Sequence, residues 1–172
     1  MRQQAPSGLA LIVMSFAALA AAPPAHAANN QVAKVSATVV KPLILSWVQN
    51  LDLGTIVLGP GTWSNATVGI SRAGAFACTN ANVTCSGATQ VAKYNVSGSN
   101  NQTVRISAPN VTLTNQSDPT KTLTLVVDSP GSLVLTNSGP PGTNFALGGS
   151  ISVSSTTAGG VYAGTFNVTV DY

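Results

Sequence analysis

Apolar and polar residues alternate in short runs along most of this sequence. The clearest run lies at its end, where the apolar or small residues at every second position are Tyr162, Gly164, Phe166, Val168, Val170 and Tyr172. A period of two places these residues on one face of an extended strand, with polar residues on the other. No window repeats apolar residues at helical spacing. The pattern therefore predicts an all-β protein.

Clusters of Gly, Pro, Asn and Ser separate the alternating runs, and turns at such intervals are typical of a β-sandwich or a barrel. The predicted strands cover residues 43–48, 51–58, 66–71, 74–78, 83–85, 91–97, 103–107, 111–114, 123–127, 132–136, 149–155 and 161–172. An extended run at 31–40 precedes them. In this run the apolar side chains fall on one face and belong to Ala33, Val35, Ala37 and Val39.

The first residues have the features of an export signal. Arg2 supplies positive charge, residues 8–22 are apolar, and Ala25-His26-Ala27 is a small-x-small cleavage site. We predict a signal peptide over 1–27, cleaved between Ala27 and Ala28, and a single domain over 28–172 with an extended arm at 28–41. The apolar run is too short for a permanent anchor, and no later stretch predicts a transmembrane helix. The expected route leads through the periplasm to the cell surface or the extracellular space.

Charged residues are sparse, which limits the chemistry of the predicted mature chain. Without Arg2, six basic residues remain against four Asp, a net charge of +2. The basic residues are scattered, whereas a nucleic-acid surface needs them clustered, so we expect no nucleic-acid partner. There is no Glu, and the only His is His26 in the predicted signal peptide. Because the commonest general base and metal ligand are missing, we predict no enzyme, no catalytic or metal site and no cofactor.

Cys78 and Cys85 are the only cysteines, with six residues between them. In an exported chain an even number of cysteines indicates a disulfide. A redox or metal role is the alternative, but the spacing is not Cys-x-x-Cys and other soft ligands are missing. We therefore predict a structural disulfide.

Four short motifs point to a family by their order and spacing. They are Leu51-Asp-Leu-Gly-Thr-Ile-Val57, Gly61-Thr-Trp63, Phe145-Ala-Leu-Gly-Gly149 and Ala158-Gly-Gly-Val-Tyr-Ala-Gly-Thr-Phe-Asn-Val-Thr-Val-Asp-Tyr172. Together they resemble the bacterial secreted family called domain of unknown function 4402. The pattern is also similar to spore coat U-type proteins and to archaic chaperone–usher pilins. The resemblance covers nearly the whole chain after the predicted signal peptide.

The resemblance implies an immunoglobulin-like, pilin-like β-sandwich that strand exchange completes. In such pilins a periplasmic chaperone binds the C-terminal strand, and the N-terminal arm of one subunit completes the next. Gly159, fourteenth from the end, matches a position where pilins commonly have glycine, and Tyr172 matches the terminal aromatic. The remaining assembly-strand contacts would be Tyr162, Phe166, Val168 and Val170, and the donor residues would be Ala33, Val35, Ala37 and Val39.

Three classes of function remain open at this point. The leading hypothesis is a non-enzymatic surface or fimbrial-type subunit, whose partners are like subunits and a chaperone. The alternative is a self-complete secreted or periplasmic sandwich that binds a glycan or protein, with Trp47 and Trp63 available to stack on sugar rings. The third is a small outer-membrane β-barrel. The chain has few aromatic residues and short strands, and both features argue against a barrel. The sequence leaves open whether the arm is donated or folds back.

Overall fold

The computed structural model describes residues 31–172, and in that range the protein is all-β, with thirteen strands and no helix. The strands are β1 (Ile44–Gln49), β2 (Thr55–Leu58), β3 (Ala66–Ile70), β4 (Phe76–Ala77), β5 (Val83–Ser86), β6 (Ala92–Ser97), β7 (Thr103–Ser107), β8 (Val111–Asn115), β9 (Thr122–Asp128), β10 (Ser132–Val134), β11 (Thr143–Val153), β12 (Tyr162–Ala163) and β13 (Thr169–Asp171). The predicted all-β class is confirmed.

The strands form three antiparallel sheets. The eight-stranded sheet has the order β1-β6-β11-β9-β8-β12, and β3 pairs with both β11 and β4. A second sheet has the order β10-β7-β13, and a third consists of β2 and β5. The long strand β11 pairs with β6 along its first half and with β3 along its second half. Gly148 and Gly149 lie where its neighbours change, and a Cβ at either position would collide with an adjacent strand.

Two clusters of buried side chains form the core. The first contains Val68, Leu125 and Ile151 from the eight-stranded sheet. In the second, Val96 of β6 packs with Val104 of β7, and both side chains are fully buried. The eight-stranded sheet therefore packs its apolar face against the three-stranded sheet, as the period-two alternation requires.

Most predicted strands are found with shifted ends, but three regions differ. Strand β11 begins at Thr143, six residues before the predicted 149, because the Gly148-Gly149 pair permits close strand packing rather than ending the strand. The predicted strand at 161–172 is divided into β12 and β13. Residues 31–43 have no regular secondary structure.

Residues 38–172 form one compact unit. The described part of the other unit, 31–37, is exposed and lies in no strand. The predicted signal peptide and its cleavage site at Ala27 and Ala28 lie outside the described residues. Over 31–172, no helix has the length and apolar character needed to cross a membrane.

Candidate binding groove

An apolar groove of about 1040 Å³ opens beside residues 157–172, which we call the C-terminal segment. Residues from β1, β2, β6, β8, β9 and β11 line it together with residues 157–166 and Val168. Representative lining residues are Leu45, Leu113, Leu123, Ile151, Phe166 and Val168. We call this cavity the groove. Several of its lining residues belong to the first core cluster, so the groove gives access to the apolar interior.

Backbone groups remain unpaired at two places along the groove. Strand β1 pairs with β6 on one side only, so within the described chain its outer edge is free. Residues 164–168 lie between β12 and β13, and no backbone hydrogen bond joins them to another described segment. An unpaired strand edge exposes N–H and C=O groups that a further strand can bind. The groove therefore combines apolar side chains with open backbone hydrogen-bonding sites.

The residues that the sequence pattern predicts as assembly-strand contacts lie in the C-terminal segment. Phe166 packs against both core clusters, and Val168 and Val170 pack against the second. Tyr162 is half-buried and donates a hydrogen bond of 2.8 Å from its hydroxyl to the carbonyl oxygen of Ala158. Tyr172 is 42% exposed. The alternation thus places Phe166 and Val168 inward even though the backbone at these two residues forms no strand.

Gly164 lets the segment approach strand β8 closely. A Cβ at this position would lie 2.8 Å from the carbonyl oxygen of Thr112 and 2.9 Å from side-chain carbons of Val111 and Leu113. Real Cβ atoms do not approach other atoms so closely, so a larger residue would push the segment away from β8.

The neighbouring glycines differ in what they require. A Cβ at Gly159 would meet open space, whereas one at Gly160 would collide with the side chain of Asn115. Gly160 also has a φ of +143°, which disfavours other residues. Asn115 is 1% exposed, and its amide donates a hydrogen bond of 3.0 Å to the carbonyl oxygen of Gly159. Gly160 therefore has to be glycine for steric reasons. Gly159 instead supplies the backbone oxygen that accepts the hydrogen bond from Asn115.

Aromatic side chains line one side of the groove. Trp47 and Tyr94 both line it, and the ring of Tyr94 stacks on Phe145 with centroids 5.5 Å apart. Burial raises the pKa of the Tyr94 phenol. Trp63 instead donates a hydrogen bond of 3.2 Å to the carbonyl oxygen of Gly59 and packs against the first core cluster. Of the two tryptophans, only Trp47 offers a largely exposed ring at the groove.

The four predicted donor residues, Ala33, Val35, Ala37 and Val39, are exposed and lie in no strand. The exposed fractions of Val35 and Val39 reach 92% and 91%. None of the four side chains on this face of the arm is buried in the described chain. The structure therefore gathers the predicted C-terminal contacts around the groove and leaves the arm side chains in solvent.

The predicted disulfide between Cys78 and Cys85 is present. Cys78 directly follows β4, which belongs to the eight-stranded sheet, and Cys85 lies in β5 of the two-stranded sheet. Both cysteines pack against the first core cluster. The disulfide therefore ties the β2–β5 sheet, which supplies groove residues Ile56 and Leu58, to the larger sheet.

Three of the four aspartates hold local structure through side-chain hydrogen bonds or an ion pair. Hydrogen bonds from the Thr120 hydroxyl and backbone N–H lower the pKa of Asp118, which lies in the β8–β9 turn. Asp128 forms an ion pair with Arg72 at 3.0 Å, and Asp52 accepts a hydrogen bond from the backbone N–H of Gly54. Within residues 31–172, no three His, Cys or acidic side chains cluster as metal ligands.

Some residues that shape the site carry no recognisable sequence signal. Asn115 resembles the many other Asn residues of the chain until its burial is known. Tyr94 becomes a groove residue only through the pairing of β6 with β1. Spatial pairing between distant strands, rather than local pattern, selects both residues.

A comparison with known protein families places the chain in one of them. The family model described as a domain of unknown function (DUF4402) matches residues 44–172. The match begins at β1 and includes every strand, the groove and the C-terminal segment. No curated protein and no solved structure matches the chain.

Proposed function

This chain belongs to the DUF4402 family, and we propose that it is a non-enzymatic, exported structural subunit that assembles at the cell surface by β-strand exchange. In this proposal the packed sheets form an immunoglobulin-like, pilin-like sandwich. The groove receives the N-terminal arm of another copy. A periplasmic chaperone covers the same groove before assembly.

The single observation that carries the proposal is the coincidence of the groove with unpaired backbone. An extended segment entering the groove would meet open N–H and C=O groups at residues 164–168 and at the outer edge of β1. Its alternate side chains would enter an apolar cavity. Strand addition uses these two features, since backbone hydrogen bonds give affinity and pockets for alternate side chains give specificity.

The arm has the properties that this site requires. Its apolar side chains fall at every second position, with Lys34, Ser36 and Thr38 between them. Ten extended residues reach about 33 Å, the length of a long strand. Val35 and Val39 are exposed in the described chain, so transfer into an apolar groove would remove them from water at a gain of about 1.5–3 kcal/mol for each side chain.

Deleting the arm tests the proposal. Residues 28–172 and 41–172 would be compared by size-exclusion chromatography with light scattering and by electron microscopy of any large fraction. The deletion removes no strand of the structure, so the shorter protein is expected to fold and to remain monomeric. The longer protein is expected to form ladders or fibres. Fibres of equal yield from both proteins would show that the arm is not the donor.

A second candidate function is a self-complete sandwich that binds a glycan in the groove. Trp47 favours it, because this residue is 62% exposed and lines, with Tyr94, a cavity that also presents polar groups such as Asn50 and Thr157. Aromatic faces in a groove stack readily on apolar ligand surfaces. A stable monomer of residues 28–172 that binds a glycan array, with binding lost in Trp47→Ala and retained in Trp63→Phe, would support this function instead.

A further inference from the structure

The final residue of the sequence holds the base of the N-terminal arm through a closed set of three hydrogen bonds. The Tyr172 hydroxyl donates to the carbonyl oxygen of Lys41 at 2.5 Å and accepts from the backbone N–H of Ser99 at 2.8 Å. The backbone N–H of Lys41 in turn donates to the Ser99 hydroxyl at 2.6 Å. Both backbone groups of Lys41 are therefore engaged.

Packing around this network fixes it further. A Cβ at Gly98 would lie 2.5 Å from the Tyr172 hydroxyl and 2.7 Å from a methyl group of Leu43, so only glycine leaves room for both. Leu43 packs against the second core cluster. The Lys41 ammonium group also donates to the carbonyl oxygen of Ser138 at 3.1 Å. The backbone is thus fixed on both sides of Pro42, at Lys41 by hydrogen bonds and at Leu43 by packing against the core.

The arm can enter the groove of another copy or fold back into the groove of its own subunit, and this arrangement opposes folding back. Strand β1 starts at Ile44 and lines the groove from Leu45 onward, so an arm entering its own groove beside β1 has to reverse direction at residues 40–43. A reversal there has to change the backbone conformation around Lys41 and so break the hydrogen bonds that its N–H and C=O groups form with Ser99 and Tyr172. Pro42 has no N–H that could replace them.

From this geometry we infer that Tyr172 is a latch, a positioning residue whose hydroxyl holds Lys41, at the base of the arm, and so opposes folding of the arm back into its own groove. The inference rests on the proposed function, because it assumes that the groove accepts the arm. An arm from another copy is not connected to the β1 strand of the subunit that receives it. The donating subunit therefore needs no reversal of its chain at Lys41. The latch therefore favours exchange between subunits over self-completion.

The test compares Tyr172→Phe with Tyr162→Phe in residues 28–172. Each variant loses one tyrosine hydroxyl from the C-terminal segment, but the Tyr162 hydroxyl contacts Ala158 and not the base of the arm. Amide hydrogen exchange would be measured over a range of protein concentrations. Exchange between subunits protects residues 164–168 increasingly with concentration, whereas folding back protects them equally at every concentration.

We expect Tyr172→Phe to speed exchange of the Ser99 amide about fivefold, the change that one net hydrogen bond supports. We also expect it to give residues 164–168 concentration-independent protection and to lower fibre yield severalfold. The control variant is expected to behave as the wild type. Ser99→Ala, which removes the contact to the Lys41 N–H, is expected to shift the protection in the same direction.

Three results would separate the possible failures. An unchanged Ser99 exchange rate in Tyr172→Phe would show that the hydroxyl does not hold the loop and would overturn the latch. Faster Ser99 exchange with wild-type concentration dependence at residues 164–168 would also overturn the latch, while leaving strand exchange intact. In contrast, residues 164–168 that stay unprotected in the wild type at every concentration would contradict the proposed function itself.

Discussion

Trp47 and Tyr94 lie directly opposite each other in the antiparallel β1–β6 ladder, and both side chains line the groove. Phe145 lies opposite Tyr94 on the next strand, β11, so three aromatic residues follow one another across the sheet. Their burial changes sharply along this row, from 62% exposed at Trp47 to 7% at Phe145. The row therefore runs from the rim of the groove into the core.

This gradient makes Trp47 a reporter of groove occupancy. In a Trp63→Phe background, where Trp47 is the only tryptophan, we expect the emission maximum to shift to the blue on assembly because an occupying strand excludes water from the ring. Fluorescence of 28–172 and 41–172 would be recorded against concentration. An emission maximum that stays constant while fibres form would show that the occupant does not cover this end of the groove.

Gly164 and Gly159 provide a matched pair of substitutions in the C-terminal segment. Gly164→Ala is expected to cost about 1–3 kcal/mol of unfolding free energy, since the added methyl group would overlap β8. Gly159→Ala adds the same group in open space, and we expect a change within about 0.5 kcal/mol of zero. Urea unfolding of residues 41–172 measures both without interference from assembly. Equal destabilisation by the two substitutions would contradict the close approach of residue 164 to β8.

Local pattern predicted the strands well where alternation coincided with burial. Strand β7 has the ends that the sequence predicts, and Val104 and Ile106 point inward as their spacing requires. The pattern was misleading at Gly148-Gly149, where glycine usually signals a turn. Here the missing side chains serve close strand packing, a property that depends on residues far away in sequence.

The groove was harder to predict because it depends on what the strands leave unpaired. Alternation at residues 164–168 continues that of β13, yet the backbone of these residues finds no partner strand in the described chain. Pairing is a tertiary property that a single run of residues does not encode. The contact of Tyr172 with Lys41 is likewise invisible in the sequence, since it joins positions 131 residues apart.

The disulfide is expected to stabilise the β2–β5 sheet in particular. Closing so short a loop contributes about 2–3 kcal/mol in the chain-entropy description. Because Cys78–Cys85 ties this sheet to the eight-stranded sheet, reduction is expected to accelerate amide exchange in β2 and β5 more than in β6 or β7. Hydrogen exchange with and without reductant measures this difference. A uniform acceleration over all strands would show that the disulfide acts only on global stability.

Charge placed on one face of the arm tests the role of its alternation. Val35 lies on the apolar face, and Ser36 lies on the opposite face. Val35→Asp is expected to abolish or strongly slow fibre formation, because a carboxylate entering an apolar groove loses its hydration without gaining a partner. Ser36→Asp adds the same charge and is expected to retain most of the assembly rate.

Neither substitution is expected to change the unfolding free energy of the monomer by more than about 0.5 kcal/mol, since both positions are exposed. Light scattering against time would give the assembly rate, and urea unfolding at a concentration too low for assembly would give the stability. Equal slowing by the two aspartates would mean that charge on the arm, rather than the identity of its apolar face, governs assembly. A defect confined to Val35→Asp would mean that this face enters the groove.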